Sequence, residues 1–468
     1  MILYYKIICD MNKFLSVVLV LCAVVYAQSQ VSFSGENIIN SNDVNCPRTI
    51  YAADIDGDGD MDMVSASNQD NKIAWYENTD GLGTFGSQQL ISNGAIGPNT
   101  VIAADVDGDN DLDVLSASSF DAIIAWYPNT DGAGAFGAQQ LISNQCQYAM
   151  WVAVADLDKD GDLDVVSASL ADDKIAWYEN TDGAGTFGDQ QIVSTQADAA
   201  LFVQVADINH DGWIDIISAS MQDGKVAWYQ NMNGSGFSAQ NVITEQLNQP
   251  RAVACADIDK DGDTDIAVAS SGDNTVSWYQ NDGAGTFGAQ NVIANDVTGA
   301  VSVAAVDIDK DGDQDIVACA YNTNTVMWYE NTDGVGAFGQ RNVITNTAQG
   351  PNHLYIADLN GDTKQDVAVA CETGKKLVWY ENETELSVQE NVATLSCKLY
   401  PIPVADKLHI DMPKHSIQKV CVLDILGKPL QLLPCVQNTI DMSDLSSGMY
   451  LLKIYTEQQV VLKKVVKR

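Results

Sequence analysis

The run Asp54-Ile55-Asp56-Gly57-Asp58-Gly59-Asp60-Met61-Asp62 places an aspartate at every second position, and six further versions of it follow down the chain. Their first aspartates are Asp54, Asp105, Asp156, Asp207, Asp257, Asp307 and Asp358, at intervals of 51, 51, 51, 50, 50 and 51 residues. So regular a period describes an architecture, because each unit must pack on its neighbours in the same way. The 468 residues are therefore read as one large closed array, with other material at each end, and not as two or three ordinary domains.

Repeat three shows the unit. Trp151 to Ala155, Leu163 to Ser169, Lys174 to Asn180 and Phe187 to Ser194 are short β-type runs divided by the aspartate loop, a polar turn and a glycine turn. No helical periodicity interrupts them. Four strands per unit, repeated seven times, predict an all-β seven-bladed β-propeller over residues 28–382. The last repeat lacks the glycine turn that leads to a fourth strand, whereas residues 33–40 resemble such a strand and precede Asp54 by the right distance. These residues are expected to close the last blade, with Leu386 to Ala393 as a weaker rival. Each repeat also carries one Trp-Tyr pair, from Trp75-Tyr76 to Trp379-Tyr380, read as packing between blades.

Written by position, the loop is D-x-[DN]-x-D-G-x-x-D. Side chains at positions one, three, five and nine can converge on one point, with the backbone carbonyl of position seven beside them and glycine at six making the turn. The seven sets, in position order, are Asp54, Asp56, Asp58, Asp60 and Asp62; Asp105, Asp107, Asp109, Asp111 and Asp113; Asp156, Asp158, Asp160, Asp162 and Asp164; Asp207, Asn209, Asp211, Trp213 and Asp215; Asp257, Asp259, Asp261, Asp263 and Asp265; Asp307, Asp309, Asp311, Asp313 and Asp315; and Asp358, Asn360, Asp362, Lys364 and Asp366. Hard oxygen donors on a flexible turn suit Ca2+, one per blade, better than zinc or magnesium. Without a counter-ion the carboxylates would repel one another strongly. Loops four and seven each replace a carboxylate by an amide, and loop seven has Thr363 where glycine is expected; these two should bind least tightly. Affinities in the range of extracellular modules, about 0.1–1 mM, are expected.

Charge follows the repeats. Residues 28–394 hold 12 Lys+Arg against 56 Asp+Glu, and residues 395–468 hold 10 against 6. An acidic surface of this kind excludes nucleic acid and anionic lipid as partners. Lys13 followed by the apolar run Phe14 to Ala27 reads as a signal peptide over residues 1–27; the ten residues ahead of Met11 are unusual for one, and Met11-Asn12-Lys13 would make a normal start. The run is too short to span a bilayer, so no transmembrane segment is expected in the mature chain. Cys255, Cys319 and Cys371 take places held by alanine or serine in sister repeats and read as small buried residues. Cys421 and Cys435 have the compartment for a disulfide, but spacing alone does not establish one.

Asp-rich loops followed by Thr84-Phe85-Gly86 or Thr286-Phe287-Gly288 resemble FG-GAP/VCBS repeats, the units of integrin-type propellers. Ser34 and Ser238 depart from the glycine after Phe. The resemblance implies structural calcium at the blade edge and no single activity. Beyond a linker at 383–394, Leu399 to Val404, Lys407 to Ile410, Leu445 to Ile454 and the ending Lys463 to Arg468 resemble a type IX secretion sorting domain over 395–468, with Ile402 where that family has Asn. This implies a small β-sandwich, recognition by the type IX machinery, and secretion to the medium or outer-membrane surface of a Bacteroidetes-type bacterium.

Four histidines, His210, His353, His409 and His415, offer no nucleophile–His or His–metal constellation. A binding module for an extracellular glycan or protein is therefore the leading expectation; a polysaccharide-active enzyme and an inert surface element are the alternatives. Since the aspartate loops join strands one and two, the variable connections from strand four to the next strand one must emerge on the opposite face. Arg48, Tyr148, Trp151, Arg251 and His353 are the candidate ligand residues there.

Overall fold

A computed structural model describes residues 31–384, 398–412, 417–423, 429–434, 438–456 and 460–468. The predicted signal peptide, the rival strand Leu386 to Ala393 and Cys435, hence the Cys421–Cys435 pairing, lie outside the described residues. Two compact units separate, Ser29–Glu385 and one containing Leu386–Arg468.

The larger unit holds seven four-stranded antiparallel sheets. Six follow chain order. The seventh combines Pro351–Ala357, Asp366–Cys371 and Lys376–Tyr380 with Asn37–Asn40 in fourth place. Asn37 faces Trp379 across that junction, and Lys376 donates to Glu36 Oε2 at 2.6 Å. The innermost strands are Pro47–Ala53, Pro98–Ala104, Ala149–Ala155, Ala200–Ala206, Pro250–Ala256, Ala300–Val306 and Pro351–Ala357; each touches the next and the last returns to the first. This is a closed seven-bladed propeller.

Burial follows from that closure. Every second strand, such as Asp164–Ser169, is buried along its whole length because neighbouring blades cover both of its faces. That explains its composition of Val, Ile, Ala and Ser, with no alternation of polar and apolar residues. The outermost strands are edges and leave Leu90, Leu141, Ile192, Val242, Val292 and Val343 exposed.

The Trp-Tyr pairs lie inside. The Trp75 ring sits against Gly134 of the next blade so closely that a Cβ there would lie 2.1 Å from it, and Trp126 on Gly185, Trp228 on Gly285, Trp278 on Gly336 and Trp379 on Gly83 repeat the arrangement. These glycines, all at positive φ, are needed for both backbone shape and clearance. Cys319 and Cys371 are buried, while Cys255 is half-buried on an inner strand.

In the second unit a three-stranded sheet (Lys398–Tyr400, Lys407–Asp411, Thr439–Asp441) and a four-stranded sheet (Ile417–Leu423, Pro429–Leu433, Gly448–Thr456, Val460–Lys467) share one core. Leu408, Ile410 and Ile440 from the first meet Val420, Val422, Leu452, Ile454 and Val465 from the second, giving a small β-sandwich. Among the described residues no helix is long and apolar enough to cross a membrane.

Candidate functional site

Each aspartate loop is built on its ninth residue. Asp164 is buried; its Oδ2 accepts from the Leu157 amide at 3.0 Å and its Oδ1 from the Asn180 amide at 2.9 Å. The same two bonds recur at Asp62, Asp113, Asp215, Asp265, Asp315 and Asp366. Burial pushes the carboxyls of Asp62, Asp113, Asp164, Asp265 and Asp366 up to about 7, with the two amide bonds opposing.

Position one closes the turn. Asp54 Oδ2 accepts from Gly59 at 3.1 Å, and all seven loops repeat that bond to position six. Position six has positive φ throughout, including Asn110 at 74° and Thr363 at 71°. Position four is left-handed as well, a second special position that the motif does not announce: Gly57, Gly108 and Gly361 hold it in three loops, but Lys159, His210, Lys260 and Lys310 hold it in the others.

Ligand atoms of three acids lie within 4.8 Å of one another in five loops: Asp54, Asp56 and Asp58; Asp105, Asp107 and Asp113; Asp156, Asp158 and Asp160; Asp257, Asp259 and Asp265; and Asp307, Asp309 and Asp311. The Oδ1 atoms of Asp54, Asp107, Asp156, Asp207 and Asp257 are buried with no hydrogen-bond partner. Buried carboxylate oxygens without donors are costly unless a cation meets them. An all-oxygen donor set with orphaned atoms therefore fits a hard divalent ion, and these clusters can hold metal.

The loops differ in how they handle their charge. Burial and then the Asp58 and Asp56 charges push Asp60 up to about 6, and burial with neighbouring carboxylates raises Asp107, Asp158, Asp259 and Asp309. In loop four burial again acts upward on Asp211, but hydrogen bonds from Trp213, Gln230 and Asn209 and the Lys159 charge bring it below the usual carboxylate range. In loop seven the Lys364 ammonium lies 2.7 Å from Asp362 Oδ2 and overrides burial in the same direction. These two loops carry part of their own neutralisation.

Three position-seven side chains meet position four of the preceding loop. Asp263 pairs with His210 at 3.2 Å, Asp313 with Lys260 at 3.9 Å, and Lys159 lies 4.1 Å from the Trp213 ring centre. Position four of one loop thus reaches position seven of the next.

A recurring asparagine after Trp-Tyr went unassigned in the sequence reading. Asn129 Nδ2 donates to the Ile55 carbonyl of the preceding blade at 2.8 Å, and Asn180, Asn231, Asn281, Asn331 and Asn382 do likewise. Asn78 closes the ring on Leu359 at 2.9 Å. Its sevenfold recurrence was the signal available.

The opposite face holds a cavity of about 60 Å3 lined by Arg48, Asn99, Met150, Trp151, Leu201, Phe202, Arg251, Ala252, Val301, Asn352 and His353. Its geometry has one cause. In all seven innermost strands the register slips at the second residue, as between Pro47 and Thr49 or Pro250 and Ala252. The skipped residues are Arg48, Asn99, Met150, Leu201, Arg251, Val301 and Asn352, and every one lines the cavity. A β-bulge re-aims its side chain; repeated seven times around the axis, it delivers one side chain per blade to a common mouth.

Of the candidate ligand residues, Arg48, Trp151, Arg251 and His353 meet there. Tyr148 does not: it sits one residue before the strand at φ 65°, and its ring packs edge-on against Phe120 at 5.6 Å. Trp151 lies 4.4 Å from Phe202 and 5.3 Å from His353, ring centre to ring centre. Burial holds His353 down at about 4, so the ring is neutral. Arg48 is paired with Glu372 at 3.1 Å.

The family model described as "FG-GAP-like repeat" matches residues 54–116, 105–167, 156–218, 207–268, 257–318 and 307–369, and the model described as "Secretion system C-terminal sorting domain" matches 398–468. None of the curated proteins compared matches the chain. Among solved structures, BBS1N in complex with ARL6DN is similar at 12% identity and TM-score 0.54, over 77% of this chain and all (100%) of that one. Virginiamycin B lyase from Staphylococcus aureus is similar at 9% identity and TM-score 0.51, over 75% and 99%. An Agrocybe aegerita lectin that recognises non-reducing terminal N-acetylglucosamine shows 22% identity and TM-score 0.49, over 65% and 81%. At these identities the likeness is one of fold.

Proposed function

The chain belongs to the FG-GAP-like repeat family and ends in a type IX secretion sorting domain, and from that premise we propose that it is an exported calcium-binding propeller acting as an adhesion or ligand-binding module. Export brings the loops into a calcium-rich medium, and the protein is placed outside the cell or on the outer-membrane surface. Positions one, three, five and nine of each loop would hold the ion, with the carbonyl of position seven. Its role is to neutralise buried carboxylates and fix the turn.

Recognition is assigned to the mouth. The observation that carries this is the sevenfold bulge: the backbone is the same in every blade, yet the residue delivered is Arg, Asn, Met, Leu, Arg, Val and Asn in turn. A purely structural axis would be expected to repeat its side chains as the second strands do. Several different side chains around a concave apolar and polar lining suit a carbohydrate or protein ligand.

The test is binding of the full chain to glycan and matrix-protein arrays, with and without chelator. Retention in calcium, weakened by mouth substitutions, is the expected result. Turnover of a polysaccharide without stable binding, or no binding at all, would sink the proposal.

A further inference from the structure

The mouth has a chemistry of its own in an otherwise acidic molecule. The propeller contains three arginines, Arg48, Arg251 and Arg341, and two of them are among the seven bulged residues. They are not equivalent. Arg48 is neutralised by Glu372 at 3.1 Å, and its Nε is buried with no hydrogen-bond partner. Arg251 forms no ion pair among the described residues; its only hydrogen-bond contact there is a weak one from Nη1 to Met221 Sδ at 3.8 Å. Burial, and next the Arg48 charge, hold its guanidinium below its ordinary value. The mouth therefore carries one uncompensated positive charge, already partly stripped of water.

The other walls limit what that charge can receive. Trp151 and Phe202 form a tilted aromatic pair, and His353 lies against Trp151 with its Nδ1 buried and unpartnered. Asn352 beside it offers both a donor and an acceptor. Opposite an arginine stand an aromatic surface and a group suited to hydroxyls. A planar guanidinium pairs bidentately with a carboxylate, and a single net charge matches a monoanion better than a phosphate dianion.

Two further constraints act on the ligand. The cavity is small, about 60 Å3, and suits a terminal group of a ligand. The propeller as a whole is strongly acidic, with 12 Lys+Arg against 56 Asp+Glu over residues 28–394. Such an acidic molecule disfavours a polyanion, whose remaining charges its field would repel.

Resting on the reading of the mouth as a ligand site, we propose that it binds the terminal residue of an acidic glycan, a sugar ring bearing one carboxylate. Arg251 anchors the carboxylate, Trp151 and Phe202 receive the apolar edge of the ring, and Asn352 takes a hydroxyl.

The test uses the full chain at saturating calcium on an array of neutral, uronate-terminated and sialate-terminated glycans and acidic peptides. Wild type is compared with Arg251→Gln and Trp151→Ala, each first checked for an unchanged melting temperature. Acidic-terminated glycans should be retained, the signal falling at least about tenfold in Arg251→Gln and also in Trp151→Ala. Equal capture of neutral glycans, indifferent to Arg251→Gln, would overturn the carboxylate while leaving a binding mouth. Capture of acidic peptides alone would overturn the sugar. Capture of nothing would remove both this inference and the reading beneath it.

Discussion

The two faces of the ring are made from the same seven backbones and treat them in opposite ways. On the loop face the side chains repeat with the backbone, as in the ninth-position aspartates and the blade-linking asparagines, all held by the same bonds. On the mouth face the bulge repeats but its residue changes from blade to blade. Repetition of both is the mark of a structural device, because each blade has the same turn to hold. Repetition of the backbone alone is what a recognition surface needs.

If that division is right, the largest effect comes from removing the ion. Each site held at about 100 times its Kd would contribute roughly 2.7 kcal/mol, so chelator should lower the melting temperature by more than about 10 °C. An unchanged melt would break the comparison outright. Next comes the asparagine link. Asn129→Ala loses the bond to Ile55 and the one accepted from Gly134, and should cost about 1–3 kcal/mol by chemical denaturation.

The ninth-position acids add a pH test. Their folded values near 7 lie above the ordinary carboxylate range. A raised acid contributes stability that is full below the unfolded value and lost as pH rises through the folded one. Chelated protein should therefore melt progressively lower from about pH 4 to about pH 7, whereas calcium-loaded protein should not. Parallel curves would show that the ion does not relieve this charge.

Smaller effects sharpen the division. Thr363 is β-branched at φ 71°, so Thr363→Gly should gain roughly 0.5–1 kcal/mol in a thermal melt. Smallest of all, Arg251→Gln should shift calcium-loaded stability by less than about 0.5 kcal/mol. A large loss there would make the mouth a structural element after all.

Much of this was legible in the chain. The 51-residue period and the runs of Val, Ile and Ala declared the blades, and alternating aspartates declared the loops. Arg48, Trp151, Arg251 and His353 stood out because their positions vary among repeats. What was hidden has physical reasons. Asparagine is common in turns, so its link to the preceding blade, 74 residues away in the chain at Asn129, leaves no local trace. Lysine at position four gives no hint of a left-handed backbone, since the loop's own hydrogen bonds impose it. Tyr148 looked like Trp151 in sequence, but its own positive φ turns it away from the axis. Nor does spacing reveal that Lys364 bends back to serve as the counter-charge of its own loop.

The bulge at the head of every innermost strand has a consequence for variation. A residue left out of the pairing ladder can change identity without shifting the register of its sheet, and its neighbours around the axis belong to other blades. Seven positions can thus be altered one at a time, far from the aspartate loops. The propeller is in that sense a dial with seven separately settable digits, and the lining of its mouth can be reset without renegotiating the fold.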